Sequence, residues 1–278
     1  MVVYRVCGAT DKGRVRELNE DYYMEAVIGD SDIIVLGVAD GVGGLMAGEV
    51  ASKIALTTFA SSLIQSLVTY YKGMKIFEGT IDVSDDLVIQ KAVKESIDRA
   101  NQGVRDAVRN SGTTLVAALV FGKPGIGYII NVGDSRAYIV SGNEIHQITR
   151  DHSVPWRDFE NELKRVEWDK INWSDSASVE GFFEWKRKYL GSHPKSHVIW
   201  NVLGYFGEVD YFDIFRVGLY KGDKLLLTTD GLTDMANDYE ILEVMKNNSC
   251  EEAARELVKL ANNKGGEDNI TVAILEVA

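Results

Sequence analysis

The chain has 278 residues, 45% of them apolar, so it is long enough to enclose a sizeable hydrophobic core. It has 30 Lys and Arg against 42 Asp and Glu, a formal charge of −12 at pH 7. That charge argues against a nucleic-acid partner, because such a surface needs a basic footprint. Charged or polar residues interrupt every apolar run before it reaches membrane-spanning length, and the N-terminus lacks the layout of a signal peptide. We therefore expect a cytoplasmic protein with no membrane partner.

The two cysteines, Cys7 and Cys250, are far apart in the sequence and belong to no Cys-x-x-Cys or Cys/His cluster. This usage argues against a disulfide framework. We expect two separate buried thiols.

The first half of the chain alternates between strand and helix patterns. Apolar, β-branched runs predict strands at 2–8, 22–28 and 32–39. Apolar stripes at helical spacing then predict helices at 49–71 and 87–108. Four more strand patterns with turn residues between neighbours predict an antiparallel meander, with strands at 113–121, 126–132, 136–140 and 144–149.

The second half begins with a segment, 154–201, that holds all five tryptophans and little strand alternation. Short helices are expected within it at 159–168 and 179–189. The patterns that follow predict strands at 211–217, 223–229 and 270–277, with helices at 239–246 and 251–262 before the last strand. The order lacks the βαβ alternation of a parallel sheet and predicts an α+β fold in which two antiparallel sheets are flanked by pairs of helices. No linker divides the chain, so we expect one domain over 1–278.

Six short acidic segments lie at the ends of these elements or between them. Several of them follow apolar strands such as 33–36 and 225–227, where an uncompensated negative charge close to the core is costly. Carboxylates that converge there need hard divalent cations, and oxygen-only ligands suit Mg²⁺ or Mn²⁺ better than zinc. The segments are Arg16–Asp21, Ala39–Gly44, Val132–Arg136, Asp151–Ser153, Thr229–Asp234 and Glu267–Thr271.

Two Asp-Gly pairs and one arginine indicate which reaction such a metal site would catalyse. Asp40 can bridge two cations while the carbonyl of Gly41 binds one of them, and Asp230 precedes Gly231 in the same arrangement. Two ions about 3.5–4 Å apart can share a water, lower its pKa and orient a phosphoryl group. Arg16 can grip phosphate oxygens bidentately. Together these features describe metal-assisted hydrolysis of a phosphomonoester.

Each signal has a plainer alternative. An Asp-Gly pair is most often a simple turn, and Arg136 can form a structural ion pair. Asp151, His152 and Ser153 have the composition of a hydrolase triad, but triads are assembled in space and no Gly-x-Ser-x-Gly elbow is present.

The order and spacing of the acidic segments, with Ser111–Thr114 and Thr149–Ser153 between them, resemble the type 2C metal-dependent serine/threonine protein phosphatases, particularly the compact prokaryotic form. The resemblance runs from about Gly8 to Val277. It implies a four-layer α-β-β-α sandwich with the metals in a cleft at one edge. It also implies two central Mn²⁺ or Mg²⁺ ions with a third, weaker one, and direct hydrolysis by the hydroxide that bridges the central pair.

The resemblance also implies roles for individual residues. Asp40 would bridge both central cations, Asp230 and Asp268 would complete one site, and Glu20 and the Gly41 carbonyl would serve the other with Asp21 beside them. Asp134 and Asp230, assisted by Asp234, would hold the third cation. Arg16 would bind the phosphate. The residues that the resemblance makes metal ligands are thus Glu20, Asp21, Asp40, Gly41, Asp134, Asp230, Asp234 and Asp268.

Two features depart from the family pattern. Many eukaryotic members have a histidine after the Asp-Gly pair as the proposed acid for the leaving alkoxide, but Val42 stands here. A metal-bound water near Asp134 is the substitute candidate. The segment 154–201 corresponds to the family's flap but is longer than in the compact form. We predict that its tryptophans, Trp156, Trp168, Trp173 and Trp185 among them, form a flap that shapes access for phosphoproteins.

The leading functional hypothesis is therefore a phosphatase for phosphoserine and phosphothreonine in proteins, acting as a monomer against a Ser/Thr kinase. Two alternatives stay open. One is a catalytically silent interaction module with the same fold, although Asp40, Asp230 and Asp268 are all present. The other is a phosphomonoesterase for small metabolites.

Overall fold

In a computed structural model the chain forms two stacked antiparallel β-sheets with helices on both outer faces. The described residues are 3–29, 33–43, 47–70, 86–123, 125–166, 181–182, 185–186, 188–190, 192–195, 198–205, 207–209 and 211–278. The predicted α+β sandwich is thus confirmed. Among the helices within these ranges, none has the length and apolar character needed to cross a membrane.

The sheet that we call the β1 sheet has the strand order β1-β11-β10-β7-β8. Its strands are β1 (Tyr4–Asp11), β11 (Ile270–Val277), β10 (Lys224–Thr228), β7 (Arg136–Ser141) and β8 (Glu144–Gln147). The first and last strands of the chain are neighbours, with Tyr4 opposite Val277 and Asp11 opposite Ile270.

The other sheet, which we call the β2 sheet, has the order β2-β3-β5-β6-β9, with the short β4 beside β3. Its strands are β2 (Asp21–Ile28), β3 (Ile33–Val42), β4 (Gly112–Thr113), β5 (Leu115–Phe121), β6 (Ile126–Val132) and β9 (Asp213–Gly218). Every residue of β5 is buried, because one face meets the β1 sheet and the other meets helices.

The helices cover the outer faces in two groups. Helices α1 (Gly48–Tyr70) and α2 (Asp86–Ala107) pack on the β2 sheet, where Phe59 and Ile97 are fully buried. Helices α5 (Asp238–Asn247) and α6 (Cys250–Asn263) pack on the β1 sheet. Of two shorter helices, α3 (Val154–Leu163) follows β8 and α4 (Asp230–Thr233) lies between β10 and α5. A third core of residues such as Leu36, Val116 and Leu225 separates the sheets.

The predicted meander is wrong at its centre. Strands β5 and β6 pair, and β7 and β8 pair, but β6 lies in the β2 sheet and β7 in the β1 sheet. The chain crosses between the sheets at Gly133, which has a φ of +110°, a conformation that glycine adopts readily. This crossing places Asp134 between the two sheets.

The expectation of two separate thiols is also wrong. Cys7 on β1 and Cys250 at the start of α6 form a disulfide across 243 residues of sequence. Their partnership arises because α6 packs on β1 and β11, a contact that no local pattern reveals.

Three of the predicted element bounds shift in ways that bear on function. Asp40 and Gly41 lie inside β3, where a turn after the strand was expected, and Asp230 begins α4 where another turn was expected. Helix α3 begins at Val154, five residues earlier than predicted, since Ser153 caps it and Pro155 suits the first turn.

Candidate active site

An acidic cleft of about 800 Å³ opens where the two sheets meet. Its walls come from segments far apart in sequence: the loop before β2, the end of β3, the β6–β7 crossing, α4 and the loop before β11. Among the predicted metal- and phosphate-binding residues, those that line it are Arg16, Glu20, Asp40, Gly41, Asp134, Asp230, Asp234 and Asp268. The remaining one, Asp21, lies beneath the cleft and is buried.

Asp21 and Asp40 face each other across the first two strands of the β2 sheet, as directly opposite residues of β2 and β3. The Asp21 Oδ2 accepts a hydrogen bond of 2.8 Å from the Thr229 hydroxyl, which lies just before α4. The Thr229 hydroxyl in turn accepts from the backbone N–H of Thr271 on β11. These bonds join the two sheets beneath the cleft.

Asp40 is fixed through its backbone by a pair of threonines. Its N–H donates to the Thr114 hydroxyl at 3.0 Å, and its carbonyl accepts from the Thr114 N–H at 2.9 Å and from the Thr113 hydroxyl at 2.8 Å. The Thr114 hydroxyl also hydrogen-bonds Ser135 at 2.7 Å, so it connects the Asp40 strand with the Asp134 loop. The sequence identified these threonines only as landmarks, and no periodicity in it points to their positioning role.

Glu20 is anchored at both ends of its backbone. Its N–H donates to Asn269 Oδ1 at 2.8 Å, and its carbonyl accepts from Gly41 N–H at 3.1 Å and from the Ser52 hydroxyl at 2.7 Å. Asn269 also donates to the Lys12 and Leu18 carbonyls, so one amide side chain shapes the whole loop that holds Arg16. Adjacency to Asp268 was the only sequence signal for Asn269.

Gly41 and Gly48 let helix α1 approach the acidic cluster. A Cβ at Gly41 would lie 2.3 Å from the Gly48 carbonyl oxygen, and a Cβ at Gly48 would lie 2.4 Å from Glu20 Oε1. Side chains larger than hydrogen would therefore displace either the helix or the carboxylate.

Arg16 lies at the rim of the cleft and is half exposed. Its Nη2 donates to Asp268 Oδ2 at 2.7 Å, and the Asn269 N–H donates to the other oxygen of Asp268 at 2.8 Å. The predicted phosphate-binding arginine thus neutralises one of the predicted metal ligands in this structure.

The other carboxyl groups of the cluster repel one another and are largely shielded from solvent. Burial raises the pKa of Asp21 to about 7, against hydrogen bonds from Thr271 and Thr229 that lower it. Burial, followed by the nearby Asp234 and Asp268, raises the pKa of Asp230 to about 7. The pKa values of Asp40 and Asp134 are also well above the usual range, because both are largely shielded from water and lie near other carboxylates. The cluster therefore holds protons near neutral pH unless cations replace them.

The donor set fits divalent cations. One oxygen each of Asp21, Asp134 and Asp230 is buried with no hydrogen-bond partner in the described part of the chain, and such groups call for a ligand. All of the side-chain donors are carboxylate oxygens, as Mg²⁺ and Mn²⁺ prefer. Within the described residues, no three Asp, Glu, His or Cys side chains form a preassembled ligand group, so the acids would reorient around an ion.

The Asp151–His152–Ser153 segment is structural and is not a triad. Asp151 accepts a bidentate ion pair from Arg136, with Nη2 to Oδ2 at 2.7 Å, which confirms the plainer alternative for Arg136. Ser153 caps α3. His152 is buried and is bonded away from the Ser153 hydroxyl.

Two of the four flap tryptophans, Trp168 and Trp173, lie outside the described residues. Trp185 packs on Phe159 of α3, with ring centroids 5.1 Å apart, and the Lys186 ammonium lies 4.5 Å from the centre of the Trp156 ring. Of the described residues in 154–201, Ile199 lines the cleft. The described tryptophans are thus packing residues, and the influence of the flap on access stays a prediction.

Comparison with known proteins decides the family. A family model described as protein phosphatase 2C matches residues 10–269. The chain belongs to the protein phosphatase 2C family. Every candidate site residue lies within the matched range, which leaves most of β1, all of β11 and the terminal residues outside.

Relatives of this phosphatase 2C chain match it over nearly its full length. It is 32% identical over 271 residues to a serine/threonine phosphatase stp of Listeria monocytogenes, covering 96% of this chain and 93% of that one. A serine/threonine phosphatase structure from S. agalactiae superposes with a TM-score of 0.75 at 26% identity, covering 99% and 100% of the two chains. The catalytic domain of the phosphatase PstP, in complex with two manganese ions, superposes with a TM-score of 0.71 at 25% identity, with full coverage of both chains.

Proposed function

We propose that this chain is a metal-dependent phosphatase that hydrolyses phosphoserine and phosphothreonine monoesters in proteins. The observation that carries the proposal is the convergence of acids from five distant segments on one cleft, with buried carboxylate oxygens that have no protein partner among the described residues. The family match and the relatives named as serine/threonine phosphatases support it.

The acids divide into two groups by position. We assign Asp40, Asp230, Asp268, Glu20 and the Gly41 carbonyl to two central Mn²⁺ or Mg²⁺ ions, with Asp21 beneath them. We assign Asp134, Asp230 and Asp234 to a third, weaker ion. Such ions, when bound, lower the pKa of water to give a nucleophile at neutral pH and offset the charge of the phosphoryl group.

The chain itself binds and orients the phosphate. Arg16 lies at the rim, where its guanidinium can leave Asp268 for two phosphate oxygens, because a bidentate contact of that kind is available to arginine and not to lysine. Val42 lies on the cleft wall and cannot transfer a proton. A water near Asp134 stays the candidate acid for the leaving alkoxide, because Asp134 itself is assigned to a cation and would not hold a proton there.

We further propose that residues 1–278 form one phosphatase domain with a flap at 154–201, that it acts as a monomer, and that it opposes a Ser/Thr kinase. The flap proposal predicts that a shorter graft changes peptide selectivity but not hydrolysis of a small aryl phosphate. A parallel fall in both activities would contradict it.

A cytoplasmic location is a separate proposal, and the Cys7–Cys250 disulfide counts against it, since disulfides are rare in that compartment. Alkylation of the protein in rapidly quenched, denatured cells tests it. A cytoplasmic protein should show both cysteines modified, and full protection would contradict the location.

The test of function compares substrates. We expect phosphate release from a phosphothreonine peptide with added Mn²⁺, loss of release with EDTA, and slower turnover of sugar phosphates and nucleotides. No release from any substrate would favour the silent module, and faster turnover of the metabolites would favour the small-molecule esterase.

A further inference from the structure

His152 lies beside the cleft and has no place in the chemistry above. Its side chain is 2% exposed, and it is absent from the cleft lining formed by the described residues. A buried imidazole needs partners for both ring nitrogens. Those partners lie in three separate segments of the chain.

The first partner is the crossing between the sheets. The backbone N–H of Gly133 donates to His152 Nδ1 at 3.2 Å, and the backbone N–H of His152 donates to the Gly133 carbonyl at 2.9 Å. Since a backbone N–H can only donate, Nδ1 is an acceptor and the ring proton lies on Nε2. That nitrogen faces Asp213 Oδ2 at 3.4 Å.

The Gly133 bonds fix the direction of the next residue. Gly133 has a φ of +110°, and a Cβ there would lie 2.7 Å from the Thr114 side chain. The Asn131 amide also donates to the Gly133 carbonyl, at 3.2 Å. The Nδ1 bond therefore holds the peptide between Val132 and Gly133, and the His152 backbone N–H with the Asn131 amide holds the next peptide, between Gly133 and Asp134. Together with the close approach of Thr114 to Gly133, these bonds set where the Asp134 carboxylate points.

The second and third partners belong to the segments that end and follow the flap. The Trp200 ring stacks on the imidazole with centroids 5.1 Å apart, and its backbone N–H donates to the His152 carbonyl at 3.0 Å. The Asn201 amide lies 2.8 Å from Nδ1, and the Tyr211 ring packs edge-on at 5.0 Å. The flap begins at Val154, two residues after His152, so both of its ends are attached at this residue.

We propose that His152 is a positioning residue: its Nδ1 holds the Gly133 amide, and with it the Asp134 carboxylate, in the orientation needed for cation binding, and its ring attaches both ends of the flap to that loop. It does not contact the cleft and is not a catalytic residue. The inference rests on the proposed phosphatase function only for its kinetic consequences.

Two near-isosteric variants separate the ring nitrogens. His152→Asn places an oxygen acceptor close to the position of Nδ1, whereas His152→Gln places an amide donor close to Nε2 and removes the acceptor. We expect His152→Gln to lower kcat by about 10–100-fold, the usual range for residues that orient metal ligands, with KM unchanged. His152→Asn should retain most of the wild-type kcat.

Two further readouts do not depend on turnover. Hydrogen exchange of the 131–136 segment should accelerate in His152→Gln and stay slow in His152→Asn. Calorimetric titration with Mn²⁺ should show weaker binding at the weakest site in His152→Gln alone. Equal exchange and equal metal binding in the two variants would overturn the proposal, as would a wild-type kcat in His152→Gln.

A test that leaves His152 in place covers the case in which the variants do not fold. Trp200→Leu removes the stacked ring but keeps the Nδ1 bond, so we expect slow exchange at 131–136 and an unchanged kcat, with a raised KM for phosphopeptides. Fast exchange and a fall in kcat would mean that ring packing, and not Nδ1, positions the loop. A wild-type protein without phosphatase activity would contradict the proposed function, while the exchange and titration results would still decide the role of His152.

Discussion

At the scale of single residues, the cleft is built from groups that are unfavourable by themselves. Asp40 lies inside a strand whose neighbours are buried, and both Asp21 and Asp230 raise its pKa further after burial. A buried carboxylate without a counter-charge destabilises the fold. A purely structural role therefore does not explain this arrangement. The same residues that impair stability without cations are those assigned to cation binding.

Asp40→Asn should therefore lower the activity but raise the stability of the metal-free protein. We expect activity to fall by more than about 100-fold, beyond the usual effect of outer-shell residues, because an assigned bridging ligand is lost. The melting temperature of the metal-free protein should rise, since one repelling carboxyl is removed. Asp98→Asn is the matched control, because Asp98 lies away from the cleft in an exposed ion pair with Lys94 on α2. A metal-free Asp40→Asn protein that melts below the wild type would contradict this account.

Arg16→Ala should act mainly on substrate binding. Hydrogen bonds to charged groups contribute about 1.5–3 kcal/mol, which corresponds to a rise in KM of about 10–100-fold with a smaller change in kcat. Arg16→Lys keeps the charge but not the bidentate geometry and should recover only part of the loss. Arg5→Ala, which removes an exposed guanidinium beside Glu276 on the β1 sheet, serves as the control. A wild-type KM in Arg16→Ala would remove Arg16 from phosphate binding.

At the scale of elements, the crossing from β6 to β7 decides the site. Gly133 carries the chain from one sheet to the other and leaves Asp134 between them. The same segment bonds to Thr114 through Ser135 and to His152 through the Gly133 backbone. The position of Asp134 thus depends on an irregular connection and not on a strand.

Gly133→Ala tests this connection against a matched glycine. Gly142 in the β7–β8 turn has a φ of +59° and no atom within 4 Å of an added Cβ, so its alanine variant should lose only about 1–2 kcal/mol. Gly133→Ala adds a clash with Thr114 at 2.7 Å to a φ of +110°, so it should lose more stability and also turnover. Chemical denaturation and phosphopeptide kinetics measure both. Equal losses in the two variants would mean that the Thr114 contact is unimportant.

The elements were predictable where a pattern is local. The alternation and apolar runs of β6, β11 and both helix pairs gave bounds close to those observed, because burial on one face imposes the period. The β6–β7 crossing was missed because Gly133-Asp134-Ser135 has the composition of a hairpin turn, and only the stacking of the sheets separates the strands. The Cys7–Cys250 bond was missed because it depends on the packing of α6 against β1, which no local pattern reveals. The acids of the cleft were found from their positions near strand ends, but the Arg16–Asp268 pair and the roles of Thr114, Thr229 and Asn269 require the assembled fold.

At the scale of the whole molecule, stability and metal binding are linked through protons. The pKa of Asp21 rises from its ordinary value of 3.8 in an unfolded chain to about 7 in the fold, so the unfolded chain loses its proton first as the pH rises. The folded state therefore binds more protons between these values, and its stability declines across that window. Cations that bind these carboxylates in place of the protons stabilise the folded state and so reverse the decline in stability.

The melting temperature of EDTA-treated protein should fall as the pH rises from about 4 to about 7, while the gain from added Mn²⁺ should grow over the same window. Differential scanning calorimetry at constant ionic strength measures both. Asp21→Asn removes one titrating group and should flatten the metal-free profile. A metal-free protein whose melting temperature rises between pH 5 and 7 would show that the cluster is not protonated as described.

Anomalous diffraction from crystals soaked in Mn²⁺ would show directly whether these acids bind a pair of cations. We expect two peaks within the cleft, flanking Asp40 and within ligand distance of Asp230, Asp268 and Glu20, with a weaker third peak near Asp134. A cleft without anomalous density at saturating Mn²⁺, or peaks confined to other carboxylates on the surface, would contradict this expectation.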